Sequence, residues 1–254
     1  AGEAGERALL PMRDQARDSG SEGGWVALAI SALRSCWAFK RSSRMTRDRK
    51  LFGYMMAKVL ITGASGFIAG HCIIEMLNHG YDVRGTLRDA ARSEALEVVL
   101  AKHTDRIDAL EFVSADLMNE DSWVEAAHGC DSVLHVASPV PVVQPEDEND
   151  VIIPAKTGTL NVLKAASANG IRRVVITSSV AAVMSGSRDS GTFTDQDWTD
   201  LTRTDLSPYV KSKTVAERAA WDYAQAHNLE LVAVNPALVL GPALETDYGS
   251  SLKA

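Results

Sequence analysis

From Lys58 onward, two hydrophobic patterns alternate along the chain. Short apolar runs rich in Val, Ile and Leu predict strands at 58–62, 81–87, 110–114, 131–137, 172–178 and 229–234. Longer stretches with apolar residues at helical spacing predict helices at 66–78, 92–102, 119–127, 148–168 and 208–227. Several strands are nearly continuous apolar runs, as expected where helices cover both faces of a sheet. This alternation implies right-handed crossovers and an α/β fold built on a doubly wound parallel sheet. There is no internal repeat beyond the βα alternation and no low-complexity tract.

Three segments depart from the pattern. Residues 1–56 hold many arginines and few strand signals. Their one apolar run, Trp25 to Phe39, is interrupted by Arg34 and is too short and broken to span a bilayer. Acidic residues precede it and basic ones follow, the reverse of a secretory signal. We read 1–56 as an extension, either poorly ordered or foreign to the natural protein, and 57–254 as the domain. The stretch from Ser185 to Ser207 is polar and long for a connection, and such loops are commonly lids or mobile segments. The Gln144–Asp150 charge cluster reads as a solvated helix start.

Composition narrows the function classes. With 254 residues, 46% apolar and 23% charged, the chain has the make-up of a soluble globular protein with a sizeable core. A net charge of −7 without a basic, aromatic-interleaved stripe argues against nucleic acid as a partner. The three cysteines, Cys36, Cys72 and Cys130, show no CxxC spacing and cannot all pair internally. They read as reduced thiols of a cytoplasmic protein. The six histidines form no HxxxH or HExxH group, so no metal site is expected. His135 reads as packed near a strand end rather than as a ligand.

Candidate chemistry lies where strands end. Between the first strand and the helix after it runs Thr62-Gly-Ala-Ser-Gly66-Phe-Ile-Ala69, a G-x-x-G-x-x-A spacing. Gly63 allows a tight exit turn, and Gly66 lets backbone N–H groups approach a pyrophosphate at a helix N-terminus. Ala69 needs only to be small for helix-on-strand packing. The plainer reading is an ordinary glycine-rich βα turn. At the end of the second strand, Arg88, helped by Arg92, favours the 2′-phosphate of NADP over the free ribose of NAD. The alternative there is a surface arginine. Asp116, after the third strand, stands where it could reach an adenine edge.

Arg173 to Ser179 is a buried-looking strand ending in hydroxyls, and a serine there can hydrogen-bond a carbonyl or an alcohol. For Ser178 the preferred reading is a cap on the following turn. Tyr209 and Lys213, four residues apart on a predicted helix, share one face. A nearby cation favours the phenolate, so such a tyrosine could pass a proton more readily than a free phenol. Tyr and Lys at this spacing more often mark only an amphipathic helix.

Taken in order, Thr62-Gly-Ala-Ser-Gly66-Phe-Ile, His135-Val-Ala-Ser-Pro139, Thr177-Ser-Ser179 and Tyr209-x-x-x-Lys213 resemble the extended short-chain dehydrogenases/reductases, the NAD-dependent epimerase/dehydratase superfamily. The likeness is nearest to the dihydroflavonol reductase and cinnamoyl-CoA reductase branch. Thr86-Leu-Arg-Asp89, Glu146-Asp-Glu-Asn-Asp150, Asp195-Gln-Asp-Trp198 and Asn235-Pro-Ala-Leu-Val-Leu-Gly-Pro242 add to it. The resemblance implies an NAD(P)-binding Rossmann fold and NADPH-dependent reduction of an aldehyde or ketone. It implies a catalytic set of Ser179, Tyr209 and Lys213. Tyr209 would donate the proton, Lys213 would bind the nicotinamide ribose and Ser179 would orient the carbonyl. Cofactor contacts would come from Gly63, Ala64, Ser65, Gly66, Phe67, Ile68, Ala69, Arg88, Asp116, Leu117, Val136, Ala137, Ser138 and Pro236, with Tyr209 and Lys213.

Met184 stands where plant flavonoid reductases often carry an asparagine, which counts against flavonoid specificity. Relatives of this kind continue well past Ala254, so most of the substrate region is expected to lie outside this sequence. Two alternatives stay open: a nucleotide-sugar epimerase or dehydratase holding NAD, and a non-catalytic NADP-binding fragment. The expected partner is a small carbonyl or alcohol substrate, with neither nucleic acid nor membrane, and a homodimer is compatible with such folds.

Overall fold

A computed structural model describes residues 6–8, 57–140, 145–186 and 191–244. Its seven strands are β1 (Glu6–Ala8), β2 (Lys58–Ile61), β3 (Asp82–Leu87), β4 (Leu110–Ser114), β5 (Ser132–His135), β6 (Arg173–Thr177) and β7 (Glu230–Val234). Among the described residues five α-helices alternate with them: α1 (Phe67–Asn78), α2 (Ser93–Leu100), α3 (Glu120–Ala127), α4 (Asn149–Ala168) and α5 (Pro208–His227). Six strands and all five helices fall where the apolar pattern expects them, with ends moved by a residue or two.

All pairings are parallel, in the order β1-β7-β6-β5-β2-β3-β4. After the edge strand β1, the chain enters this sheet in the middle, at β2. From β2 it winds outward through β3 to β4, then returns to β5 on the other side of β2 and winds outward again. Strand order therefore reverses between β2 and β5, and at such a switch point the carboxyl ends of the strands part to form a crevice.

Alternate residues of each central strand face opposite layers. Leu60, Val133, Val174, Ile176 and Leu231 pack with Trp123 of α3, Leu163 of α4 and Ala220 of α5. Val59, Ile61, Val83, Leu134 and Val175 pack with Ile73 and Leu77 of α1 and Leu96 and Leu100 of α2. Both faces are thus dry, which is why these strands read as apolar runs rather than as strict alternation.

Helix ends follow local chemistry. Ser207 caps α5, its Oγ accepting from Val210 N–H at 3.3 Å, and Pro208 occupies the first helical position. The helix ends at Asn228, whose φ of 55° is left-handed.

Two expectations need correction. The arginine-rich leader shows few strand signals, yet Glu6–Ala8 pairs with Val232–Val234 at the sheet edge. A three-residue strand has too little pattern to be legible, and its partner supplies the register. The Ser185–Ser207 connection is no free lid where it is described. Thr199 donates its N–H to Ala182 O at 2.8 Å and its hydroxyl to Ala181 O at 2.7 Å, while Arg218 donates to Thr199 O and lies 5.0 Å from the Trp198 ring centre. Residues 187–190 of that segment, Val142, Val143 and Gln144, and the Trp25–Phe39 run lie outside the described residues. No helix among the described residues is long and apolar enough to cross a membrane.

Candidate active site

The turn leaving β2 is shaped by close backbone approach. Gly63 has φ of +70°, and a Cβ there would meet Ala137 Cβ at 3.0 Å and its Cα at 3.1 Å. Glycine is the residue that satisfies both constraints. Gly63 N–H donates to Thr86 Oγ1 at 3.0 Å, and Ala64 N–H to Thr86 O at 2.8 Å, which ties the turn to β3. Gly66 then opens α1 with no side-chain cap and no acidic residue in the first turn. Its exposed N-terminus presents N–H groups and the positive end of the helix dipole. That is the donor set a pyrophosphate fits. Phe67, Ile68 and Ala69 form this first turn, Ala69 is buried, and Ser65 precedes it half-exposed.

The turn is pinned to the next strand through one hydroxyl. Thr62 Oγ1 accepts from Val136 N–H at 3.0 Å and from Ala137 N–H at 2.9 Å, and lies 2.9 Å from His135 Nδ1. Two donors fill the lone pairs, so the hydroxyl proton goes to Nδ1. His135 is then the neutral Nε2–H tautomer, with that nitrogen 3.4 Å from Thr159 Oγ1. Burial, and then the charge of Lys213, push the imidazole down to about 3. Val136, Ala137 and Ser138 therefore leave β5 directly beside the glycine turn.

Across the switch point stand the hydroxyls and the amine. Ser179 is buried at the end of β6, and its Oγ accepts from Ala181 N–H at 3.2 Å, capping a short 3-10 turn. Its side chain lies close enough to Tyr209 to pull the phenol's pKa down. Lys213, also buried, holds its Nζ 5.9 Å from the Tyr209 ring centre, with Thr177 O at 3.5 Å. Burial pulls the Lys213 amine down to about 8, with Glu217 opposing.

The phenol departs from expectation. Burial raises the Tyr209 pKa, and the nearby Ser179 side chain only partly offsets this. The turn cap expected of Ser178 is made by Ser179 instead, while Ser178 Oγ donates to Glu217 Oε2 at 2.5 Å.

The other candidate residues line the same carboxyl edge. Arg88 is exposed just past β3, and Arg92 closes the 3-10 turn that follows. Asp116 is exposed after β4, where its Oδ1 accepts from Met118 N–H at 2.8 Å and its carbonyl from Trp123 Nε1 at 2.7 Å. Leu117 presses on α4, where a Cβ on Gly158 would meet it at 2.7 Å, and its carbonyl accepts from Asn161 at 2.9 Å. Pro236 follows β7, and its carbonyl accepts from Val180 N–H at 3.0 Å, beside Ser179. Among the described residues no group of His, Cys, Asp or Glu could hold a metal. The motifs alone do not disclose the polar contacts of Thr62, Thr86, Thr159, Glu217 and Asn235; the nearest signal is Glu217, four residues past Lys213 on one helical face.

Comparison with known proteins agrees with this arrangement. The chain is 40% identical over 201 residues to cinnamoyl-CoA reductase 1 of Petunia hybrida, covering 76% of this chain and 58% of that one. It is 36% identical over 200 residues to dihydroflavonol 4-reductase of Arabidopsis thaliana, with coverages of 76% and 52%. The chain thus spans little more than half the length of these relatives. The fold resembles vestitone reductase from alfalfa with a TM-score of 0.65 and 27% identity, covering 77% of this chain and 61% of that one. It also resembles yeast methylglyoxal/isovaleraldehyde reductase complexed with NADPH, with a TM-score of 0.64, 28% identity, and coverages of 74% and 60%. Residues 59–252 match the family model, and the chain belongs to the NAD dependent epimerase/dehydratase family.

Proposed function

We propose that this chain carries the cofactor-binding and proton-transfer half of an NADPH-dependent carbonyl reductase, with residues 57–254 as its folded unit. The observation that carries the reading is the buried pair of Ser179 and Lys213 beside Tyr209, the Lys213 Nζ 5.9 Å from the phenol ring centre, on the carboxyl edge of the sheet that also holds the β2 glycine turn.

A bound dihydronicotinamide supplies hydride to the carbonyl carbon. The protein's part is to hold the carbonyl oxygen and give it a proton. Ser179 orients that oxygen by hydrogen bonding, and Tyr209 O–H delivers the proton. A phenol raised by burial stays protonated at neutral pH, which suits donation and hence the reductive direction. Lys213, as an ammonium, stabilises the phenolate left behind and reaches for the ribose hydroxyls. The N–H groups of the α1 N-terminus would hold the pyrophosphate, and Arg88 would take the 2′-phosphate. Asp116 would serve the adenine, and Val136, Ala137, Ser138 and Pro236 the nicotinamide half. The named relatives are reductases, and the yeast neighbour is an NADPH complex; both support this reading.

The test is NADPH and NADH consumption against a panel of aldehydes and ketones, after titration of each cofactor. Faster consumption of NADPH, with the preference reduced in Arg88→Ala, is expected. Consumption of neither cofactor would overturn the catalytic reading. Tight NADPH binding without consumption instead supports a binding-only role.

A further inference from the structure

Behind Ser179 and Lys213 lies a buried polar knot that the proton transfer above does not use. Glu217, on α5 one turn past Lys213, is 1% exposed. Its Oε2 accepts from Ser178 Oγ at 2.5 Å and from Asn235 Nδ2 at 2.7 Å, and its Oε1 from Trp221 Nε1 at 3.2 Å. The Asn235 amide also donates to the Ser179 carbonyl at 3.0 Å. One carboxylate thus joins α5 to the ends of β6 and β7, one residue from Ser179.

Packing alone is a poor account of this arrangement. A buried carboxylate carries a desolvation penalty of roughly several kcal/mol, and an apolar residue of similar volume would avoid it. Asn235 Oδ1 is buried without a hydrogen-bond partner, so the amide is held there for its Nδ2. The charged and titratable groups around the lysine are Glu217 and Tyr209 on its own helix and His135 from β5. Among these, Glu217 is the carboxylate, and it opposes the drop that burial imposes on Lys213.

Resting on the carbonyl-reduction reading, we propose that Glu217 is a positioning residue. Its charge keeps Lys213 an ammonium inside a dry site, and its hold on Asn235 fixes Ser179 against Tyr209. Removing the charge lets Lys213 lose its proton at lower pH, and removing the Asn235 link loosens Ser179.

Glu217→Gln tests the charge with little change of volume. The lost charge should lower its kcat/KM about 2-fold at pH 7 and toward 10-fold above pH 8, with NADPH affinity nearly unchanged. The alkaline limb of its pH profile should move about one unit toward acid. Glu217→Asp, which keeps the charge, should return the limb toward its wild-type position while turnover stays reduced. An unmoved limb in a folded Glu217→Gln protein overturns the proposal. Should that variant fail to fold, Asn235→Ala decides. A drop in kcat with unchanged NADPH affinity supports the proposal, and unchanged kcat defeats it.

Wild-type turnover is measured first. If NADPH is never consumed, the reductase reading fails by itself. The charge effect is then read from the ¹³Cε resonance of Lys213, assigned by its loss in Lys213→Arg. A lower midpoint in Glu217→Gln than in the wild type supports the coupling, and equal midpoints remove it.

Discussion

Thr62 and His135, 73 positions apart, share a buried 2.9 Å hydrogen bond in which the threonine hydroxyl donates to Nδ1. The same hydroxyl accepts two N–H groups from the chain leaving β5. The glycine turn and the neighbouring strand exit are therefore set relative to each other by a single side chain, which also sets the tautomer of the neutral histidine.

The protein should lose stability in acid through His135. Its folded value lies at about 3 against 6.5 for the free side chain, so below pH 6.5 the unfolded chain takes up a proton that the folded one refuses. Stability is fully present above 6.5 and declines as pH falls toward 3. Urea unfolding between pH 7 and 4 should show a shallower pH slope in His135→Asn, which cannot titrate. An identical slope would move the effect elsewhere.

Thr62→Val keeps the shape and removes the hydroxyl. Two N–H groups and an imidazole nitrogen lose their partner, at roughly 1–3 kcal/mol for each group left unsatisfied. A clear drop in urea midpoint is expected, whereas Thr62→Ser, which retains the hydroxyl, should stay near the wild type.

Gly63→Ala adds a methyl where φ is +70° and where Ala137 lies 3.0 Å from the new carbon. Strain of about 1–3 kcal/mol is expected, together with weaker NADPH binding, because the turn must shift to relieve the contact. Isothermal titration and thermal melts measure the two effects separately.

Tyr209→Phe removes the proposed proton donor and leaves the ring. Turnover should fall by ~10²- to 10⁴-fold with cofactor affinity little changed. Ser179→Ala should also slow turnover and, in addition, lower the melting temperature, because it deletes the cap on Ala181. Unchanged rates in both variants would remove the proposed chemistry.

Lys213 predicts an alkaline limit. The ammonium is the working form, and with the amine at about 8 it is present below that pH and lost above it. Plots of kcat/KM, which report the free enzyme, should bend downward near pH 8. A profile flat to pH 10 would show that the lysine's charge is not needed.

The extent to which the sequence discloses these features follows from how local they are. The strand runs around Leu60, Val133 and Val175 and the caps at Ser207 and Pro208 are written in neighbouring residues, so the sheet and helices are legible. The Gly63–Gly66 and Tyr209–Lys213 spacings are legible for the same reason. The knot of Ser178, Glu217, Trp221 and Asn235 is not, since register alone brings β6, β7 and α5 together. The direction of the Tyr209 shift is missed because sequence carries the lysine's proximity but not the depth of burial. Glu6–Ala8 is invisible for want of length.

At the far flank of the sheet, β4 pairs with β3 and, among the described residues, has no strand on its other side. Exposed parallel edges invite addition of a further chain. Here Glu111 projects from that edge strand, joined to Lys58 at 2.8 Å and to Arg84 at 2.7 Å. A foreign strand docking there would have to strip water from this charged group. The flank thereby resists fibril-like stacking, a protection concerned with solubility and separate from catalysis.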